Sequence, residues 1–241
     1  MPCGLMWAIR EKKSYPETAV SGQFWRSTLL DVDSRLRAAR GIAKNETLAS
    51  IAVFETLKRR GHPDGPPPML SDGWGGIDEA MIAVYGVVPE YRGRGRRPKR
   101  KRARPGWQYL QMVKQRDEHG RLRGVKLRVV FGTKAALLSL LGKSTAYIER
   151  SNLTSRLFNS RQARKTLAFS KEVTAYRAAA AWEDCYYNLI RPHKTLRVAV
   201  HDTSSRKWLQ RTPAMAAQLT DHIWTVKELL TLIPVPKINN A

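Results

Sequence analysis

Two carboxylates stand out by where they fall in the chain. Asp72 follows the apolar Met69-Leu70-Ser71 and precedes Gly73-Trp74-Gly75-Gly76. It therefore ends a short strand before a glycine-rich turn, where α/β folds place their ligands. Its plainer reading is a turn or cap residue. Glu149 lies within Ser144 to Arg156, a stretch without Gly or Pro that opens on small hydroxyl residues suited to a helix cap. On a helix, Glu149, Asn152 and Arg156 fall at i, i+3 and i+7 along one face. A carboxylate flanked by amide and guanidinium donors suits a metal-bound phosphodiester site, and equally an ordinary exposed helix. Asp31 or Asp33, in a turn after an earlier strand, supplies a third acid. Three carboxylates drawn together repel unless hard divalent cations hold them, Mg²⁺ or Mn²⁺ here. Two such ions about 3.5–4 Å apart activate an attacking oxygen and stabilise the leaving one in phosphodiester displacement.

The elements that must carry these acids read as an α/β arrangement. Residues 1–13 suggest a strand, and residues 23–32 a second one, ended by a turn at Asp31-Val32-Asp33-Ser34-Arg35. Leu36 to Ile42 is its return strand. Asn45 or Thr47 caps a helix with Leu48, Ile51, Ala52, Phe54 and Leu57 on its apolar stripe, closed by Gly61. Met69-Leu70-Ser71 is the strand before Asp72, and Ile77 to Tyr85 a short helix. Trp107 to Lys114 and Val125 to Phe131 make a β-hairpin inserted between Asp72 and Glu149. Lys134 to Leu141 is helical, as is Phe169 to Leu189 until Pro192 stops it. Ala214 to Leu219 and Val226 to Ile233 close the chain as short helices.

Charge narrows the partners. The 241 residues carry 43 Lys plus Arg against 20 Asp plus Glu, a formal net charge of +23. Such an excess opposes compaction unless a polyanion screens it, and nucleic acid is the usual one. With 42% hydrophobic residues a packed core is within reach. No apolar run is long enough to span a bilayer, and neither a basic amphipathic helix nor a lipidation motif points to a membrane. The two cysteines, Cys3 and Cys185, form no metal-ligand pattern, and a reducing cytoplasm is their natural setting. Arg92 to Arg104 concentrates the charge: Arg94, Arg96, Arg97, Lys99, Arg100, Lys101, Arg102 and Arg104 sit among Gly and Pro. Repulsion and the breakers predict a mobile arm that orders on DNA phosphates.

Six blocks, in unbroken order, resemble those of bacterial insertion-sequence transposases, in the branch related to insertion sequence one. They are Ser71 to Trp74, Tyr147 to Leu153, Arg161 to Lys171, Tyr187 to Leu196, Arg211 to Ala217 and Asp221 to Trp224. The resemblance implies a ribonuclease H-like fold, a mixed sheet flanked by helices, with an acidic (DDE) triad that binds Mg²⁺. Residues 1–170 would form that core, with 92–131 as an inserted basic loop and hairpin, and 171–241 a C-terminal helical extension packed on it. In that family water attacks a phosphodiester at the element end, and the freed 3′-hydroxyl then attacks target DNA. Asp72 maps onto the second acid and Glu149 onto the third. Arg150 and Asn152 match the residues after the family Glu, and with Arg156 they join the expected DNA contacts. Arg191, His193 and Lys194 match a downstream basic turn, structural or phosphate-contacting. The implied partners are terminal inverted repeats and target DNA, bound by a homo-oligomer in the nucleoid-associated cytoplasm.

The first acid departs from the pattern. In the family it stands on the opening strand as Leu-Asp-Glu-x-Trp, and here Cys3-Gly4-Leu5-Met6-Trp7 puts Gly4 in its place. Asp31 matches a position that is normally a turn residue and is the stand-in. The family's N-terminal DNA-binding segment is also missing, and a truncated or mis-started copy accounts for both departures. Two expectations stay open: a transposase catalytic domain, truncated or inactive, and a non-catalytic DNA-binding remnant of one. An RNA-binding protein is a third reading that leaves Asp72 and Glu149 without a task.

Overall fold

The structure is a computed structural model that describes residues 4–9, 24–91, 93, 95–141, 146–163, 167–200 and 207–232. Three strands open it: β1 (Gly4–Ile9), β2 (Phe24–Leu30) and β3 (Arg37–Ala43), an antiparallel meander. Helix α1 (Glu46–Arg60) follows, with the Asn45 side chain accepting from Leu48 N at 2.8 Å as its N-cap. Next come β4 (Met69–Asp72), α2 (Gly76–Tyr85), β5 (Tyr109–Arg116), β6 (Leu122–Phe131), α3 (Lys134–Leu141) and α4 (Ala146–Phe158). Helix α5 (Val173–Cys185) runs into a π-helical turn at Tyr186–Ile190. A minimal hairpin of β7 (Val198–Ala199) and β8 (Trp208–Leu209) and the short helices α6 (Pro213–Ala216) and α7 (Val226–Leu232) complete it.

Strand β5 pairs parallel with β4 as well as antiparallel with β6. The expected β-hairpin is therefore present as β5 and β6, and the parallel ladder adds that its first strand is the neighbour of the strand carrying Asp72. Strand β1 runs beside β4, so the opening meander and the second sheet are neighbours. Alternate residues of three strands feed two cores. Leu29, Met69 and Tyr109 pack with α1 and α2 through Phe54, Leu57, Ile77 and Met81. Leu30, Leu70 and Leu110 face the other way, against Leu137 of α3, Ile148 of α4 and Tyr187. A period of two that buries both faces is the pattern of a sheet covered on each side. The α/β class expected from the sequence is the class found.

Helix α5 is part of this packing. Val173, Tyr176 and Ala180 form a third core with Phe24 and Ile42. Under it lies a buried ion network. Arg26 reaches Glu183 Oε2 at 2.8 Å and Asp184 Oδ1 at 2.6 Å, Arg37 pairs with the same two acids, and Arg40 pairs with Asp184. A bulge aims Arg37 there. The β2–β3 register shifts between Leu29 and Leu30, so Leu29 pairs with Ala39 but Leu30 with Arg37. The extra residue turns Arg37 away from the α1 side, where Ala39 packs, toward α4 and α5. Its guanidinium also donates to Ser151 Oγ at 2.9 Å and Ser155 Oγ at 2.8 Å. Gly41 of β3 lets α1 approach closely, since a Cβ there would lie 1.9 Å from the Ala49 carbonyl oxygen.

The basic loop is fastened rather than free at its base. Val87 and Arg102 exchange backbone hydrogen bonds of 3.0 and 2.8 Å, and Lys101 Nζ donates to the Ala83 carbonyl at 2.5 Å. The expected mobile arm is thus a loop closed against the end of α2. Among the described residues no helix is long and apolar enough to cross a membrane.

Candidate functional site

The Asp72 turn is built around one indole. Trp74 N donates to Asp72 Oδ1 at 3.4 Å, and the Trp74 side chain hydrogen-bonds Glu46 in the first turn of α1. Gly76 makes room for the ring, because a Cβ on it would lie 1.9 Å from Trp74 Cη2. Beneath the turn, Gln111 Nε2 donates to the Trp74 carbonyl at 2.8 Å and to Tyr109 Oη at 2.9 Å, and Ser71 Oγ meets Tyr109 Oη at 2.7 Å. Ser71, Tyr109 and Gln111 are buried. Three buried side chains hydrogen-bonded to one another and to the Trp74 carbonyl fix geometry, so the sequence Ser-Asp-Gly-Trp-Gly-Gly reads as a mount for one carboxylate.

Glu149 lies near enough for its charge to act on that carboxylate. Burial pushes the Asp72 carboxyl up; the Trp74 N–H and Lys114 draw it down, and the Glu149 charge pushes it up again. The net shift is upward. Lys114 of β5 stands with the pair, its Nζ 2.6 Å from Glu149 Oε1. Glu46 approaches from the opposite helix layer: burial and the Asp72 charge both raise its carboxyl. Lys114, Glu149 and Glu46 are thus the charged neighbours of Asp72 that these shifts identify.

Asp31 instead closes the β2–β3 turn. Its carboxylate accepts from Ser34 N at 3.1 Å and from the Ser34 hydroxyl, and its N–H donates to the Leu36 carbonyl at 2.8 Å. The lone pairs of Asp31, the stand-in third acid of the sequence reading, are thus engaged locally by Ser34 within the turn. Gly4 pairs with Leu29 on β1. Asn152 is 6% exposed and sits inside, whereas Glu149 and Arg150 are exposed and Arg156 is half-buried. One face therefore does not hold Glu149, Asn152 and Arg156 in a common environment. Arg96, Arg97, Lys99, Arg100, Lys101, Arg102 and Arg104 are exposed on the closed loop, and Arg94 lies outside the described residues.

Lys114 and Glu46 were not among the expected site residues. Lys114 had a signal: it continues the Leu110-Met112 face of an otherwise inward-facing strand. Glu46 was hidden by its neighbour Asn45, whose capping role explained the position without it.

The donor chemistry of Asp72 and Glu149, oxygen only, fits a hard divalent cation. Among the described residues no three His, Cys, Asp or Glu are placed to hold a metal ion. The site is therefore a two-carboxylate pair with a lysine supplying the positive charge. Comparisons with known proteins add no relative: no family model matches the chain, and no curated protein or solved structure matches it.

Proposed function

We propose that the chain is the catalytic domain of a DNA transposase with a ribonuclease H-like sheet, in which Asp72 and Glu149 are the acids of phosphodiester hydrolysis and strand transfer. The observation that carries this reading is that Lys114 joins them. Its Nζ lies 2.6 Å from Glu149 Oε1, its charge and that of Glu149 both act on the strand-end Asp72, and a phosphate or cation would compete with it. The neighbouring β1 and β4, and helices on both faces, support the same sheet. Asp72 and Glu149 would hold Mg²⁺ or Mn²⁺, which when bound supplies positive charge to the phosphodiester. The chain's own part is to position backbone: the +23 charge and the exposed cations of residues 95–104 attract it.

A specific observation favours the second reading, a non-catalytic DNA-binding remnant. Lys114 pairs with Glu149, and among the described residues no three acids are grouped to hold a metal ion. Both readings require duplex DNA. Anisotropy titrations with duplex DNA and RNA of equal length test this shared claim. Tighter DNA binding, with log K falling linearly in log salt, is the expected outcome. A preference for RNA contradicts both readings.

A further inference from the structure

Several buried nitrogens cluster without an acceptor. Arg35 Nε and Nη1, Arg191 Nη1, His193 Nε2 and Asn152 Nδ2 are out of solvent and hydrogen-bond to nothing. Three of these residues converge on Tyr187. The His193 ring stands edge-on to it with centroids 4.7 Å apart, and the charges of Arg35 and Arg191 act on both rings. Asn152 adjoins Ser151, whose hydroxyl bonds Arg37 and Tyr187. Among the described residues neither Arg35 nor Arg191 has a carboxylate partner. Each lies against an aromatic ring instead, Arg35 3.3 Å from the Tyr147 centroid and Arg191 4.5 Å from that of Phe158. Stacking uses the guanidinium face and leaves the in-plane N–H groups for a fork to an oxyanion.

The backbone holds these groups in place. Arg35 adopts a left-handed φ of 62°, costly for a residue with a side chain, behind the Asp31–Ser34 turn. Arg191 follows the π turn, its N–H bonded to the Tyr186 carbonyl at 3.0 Å, and His193 N donates to the Arg211 carbonyl at 2.9 Å. Such π turns recur at functional sites. Two irregular segments thus deliver uncompensated cations to one place. Buried cations and donors without partners destabilise a fold, so the arrangement makes sense with a guest.

We propose that Arg35, Arg191 and His193 form a receptor for a single tetrahedral oxyanion whose source is a nucleic-acid phosphodiester. The receptor stands on the orphaned nitrogens; only the source of the oxyanion rests on the transposase reading. The site joins the acidic pair through α4, which carries both Tyr147 and Glu149. Around His193 stand Arg191, Arg37, Arg35 and Tyr187, and burial with the three guanidinium charges lowers its imidazole to about 4. A bound oxyanion offsets that repulsion.

The test is an NMR titration of the histidine imidazoles in the full chain, with His193 assigned through His193→Gln. Inorganic phosphate and a short DNA duplex are added separately. Either one is expected to raise the His193 pKa by about one unit or more, and Arg191→Gln and the charge-keeping Arg191→Lys to weaken phosphate binding about tenfold. Phosphate should also raise the melting temperature of the wild-type chain and not of His193→Gln, a readout that survives if an Arg191 variant fails to fold. A His193 resonance that neither probe moves overturns the receptor, even where the duplex binds elsewhere and the transposase reading stands. A shift with phosphate in a chain that does not bind duplex overturns the nucleic-acid source.

Discussion

Lys114 Nζ lies 2.6 Å from Glu149 Oε1, and the same ammonium draws down the Asp72 carboxyl. One lysine on β5 therefore serves an acid of β4 and an acid of α4. Its position decides how the site responds to cations, since an ammonium and a divalent ion compete for the same oxygens.

Replacing Lys114 by Met should raise the Asp72 carboxyl pKa further, because a lowering influence is removed. It should also tighten Mn²⁺ binding. Both Lys114 and Glu149 side chains are a little under half exposed, so stability should change by only about 0–1 kcal/mol. Calorimetric Mn²⁺ titration and carboxyl-carbon NMR read these effects. Unchanged or weaker Mn²⁺ binding rules out the competition.

The ion network under α5 sets the acid limit of the fold. Burial pushes the Glu183 carboxyl up, but Arg26, Arg37 and the Ser155 hydroxyl overcome it and hold it at about 2. The folded value is depressed, so this stabilisation is present above the ordinary value of 4.5 and is lost as pH falls from there toward 2. Glu183→Gln leaves buried guanidinium groups short of a partner and should cost about 3–5 kcal/mol at neutral pH. Urea melts of variant and parent should converge as pH approaches the folded value.

Gly76→Ala drives a methyl into the Trp74 ring. Displacing the indole loosens both Asp72 and Glu46, at a cost of about 1–3 kcal/mol. Trp74→Ala in the same chain removes the clash, so the two substitutions should be strongly non-additive in thermal melts. Additive losses would place the ring elsewhere.

The basic loop is a separate contributor. Changing Arg96, Arg97, Arg100 and Arg102 to Ala should reduce the salt slope of duplex binding by at most about 3.6, at roughly 0.9 per phosphate contact. An unchanged slope removes the loop from the interface.

What was legible in the sequence was local. Ser71-Asp72-Gly73-Trp74 announced a strand end and turn, and Glu149 a helix residue, and each stands in that element. The β2–β3 bulge was not legible, because an extra residue leaves no mark in a short strand, and with it went Arg37. The parallel pairing of β5 with β4 was missed because alternation names a strand's faces and not its neighbour. Arg35 and the π turn before Arg191 break the local rules, as functional sites do. The Ser34 contacts of Asp31 were not legible either, since a turn acceptor and a metal ligand share a residue type.

The central claim is that Asp72 and Glu149 do phosphodiester chemistry. Its most direct test is strand cleavage of a plasmid carrying the DNA that borders the coding sequence, with Mg²⁺ or Mn²⁺. Compared are the parent chain, Glu149→Gln and Asp72→Asn. The account predicts metal-dependent nicking at the element end by the parent and none by either variant. Duplex binding without cleavage at any protein concentration, or cleavage that survives both substitutions, would contradict it.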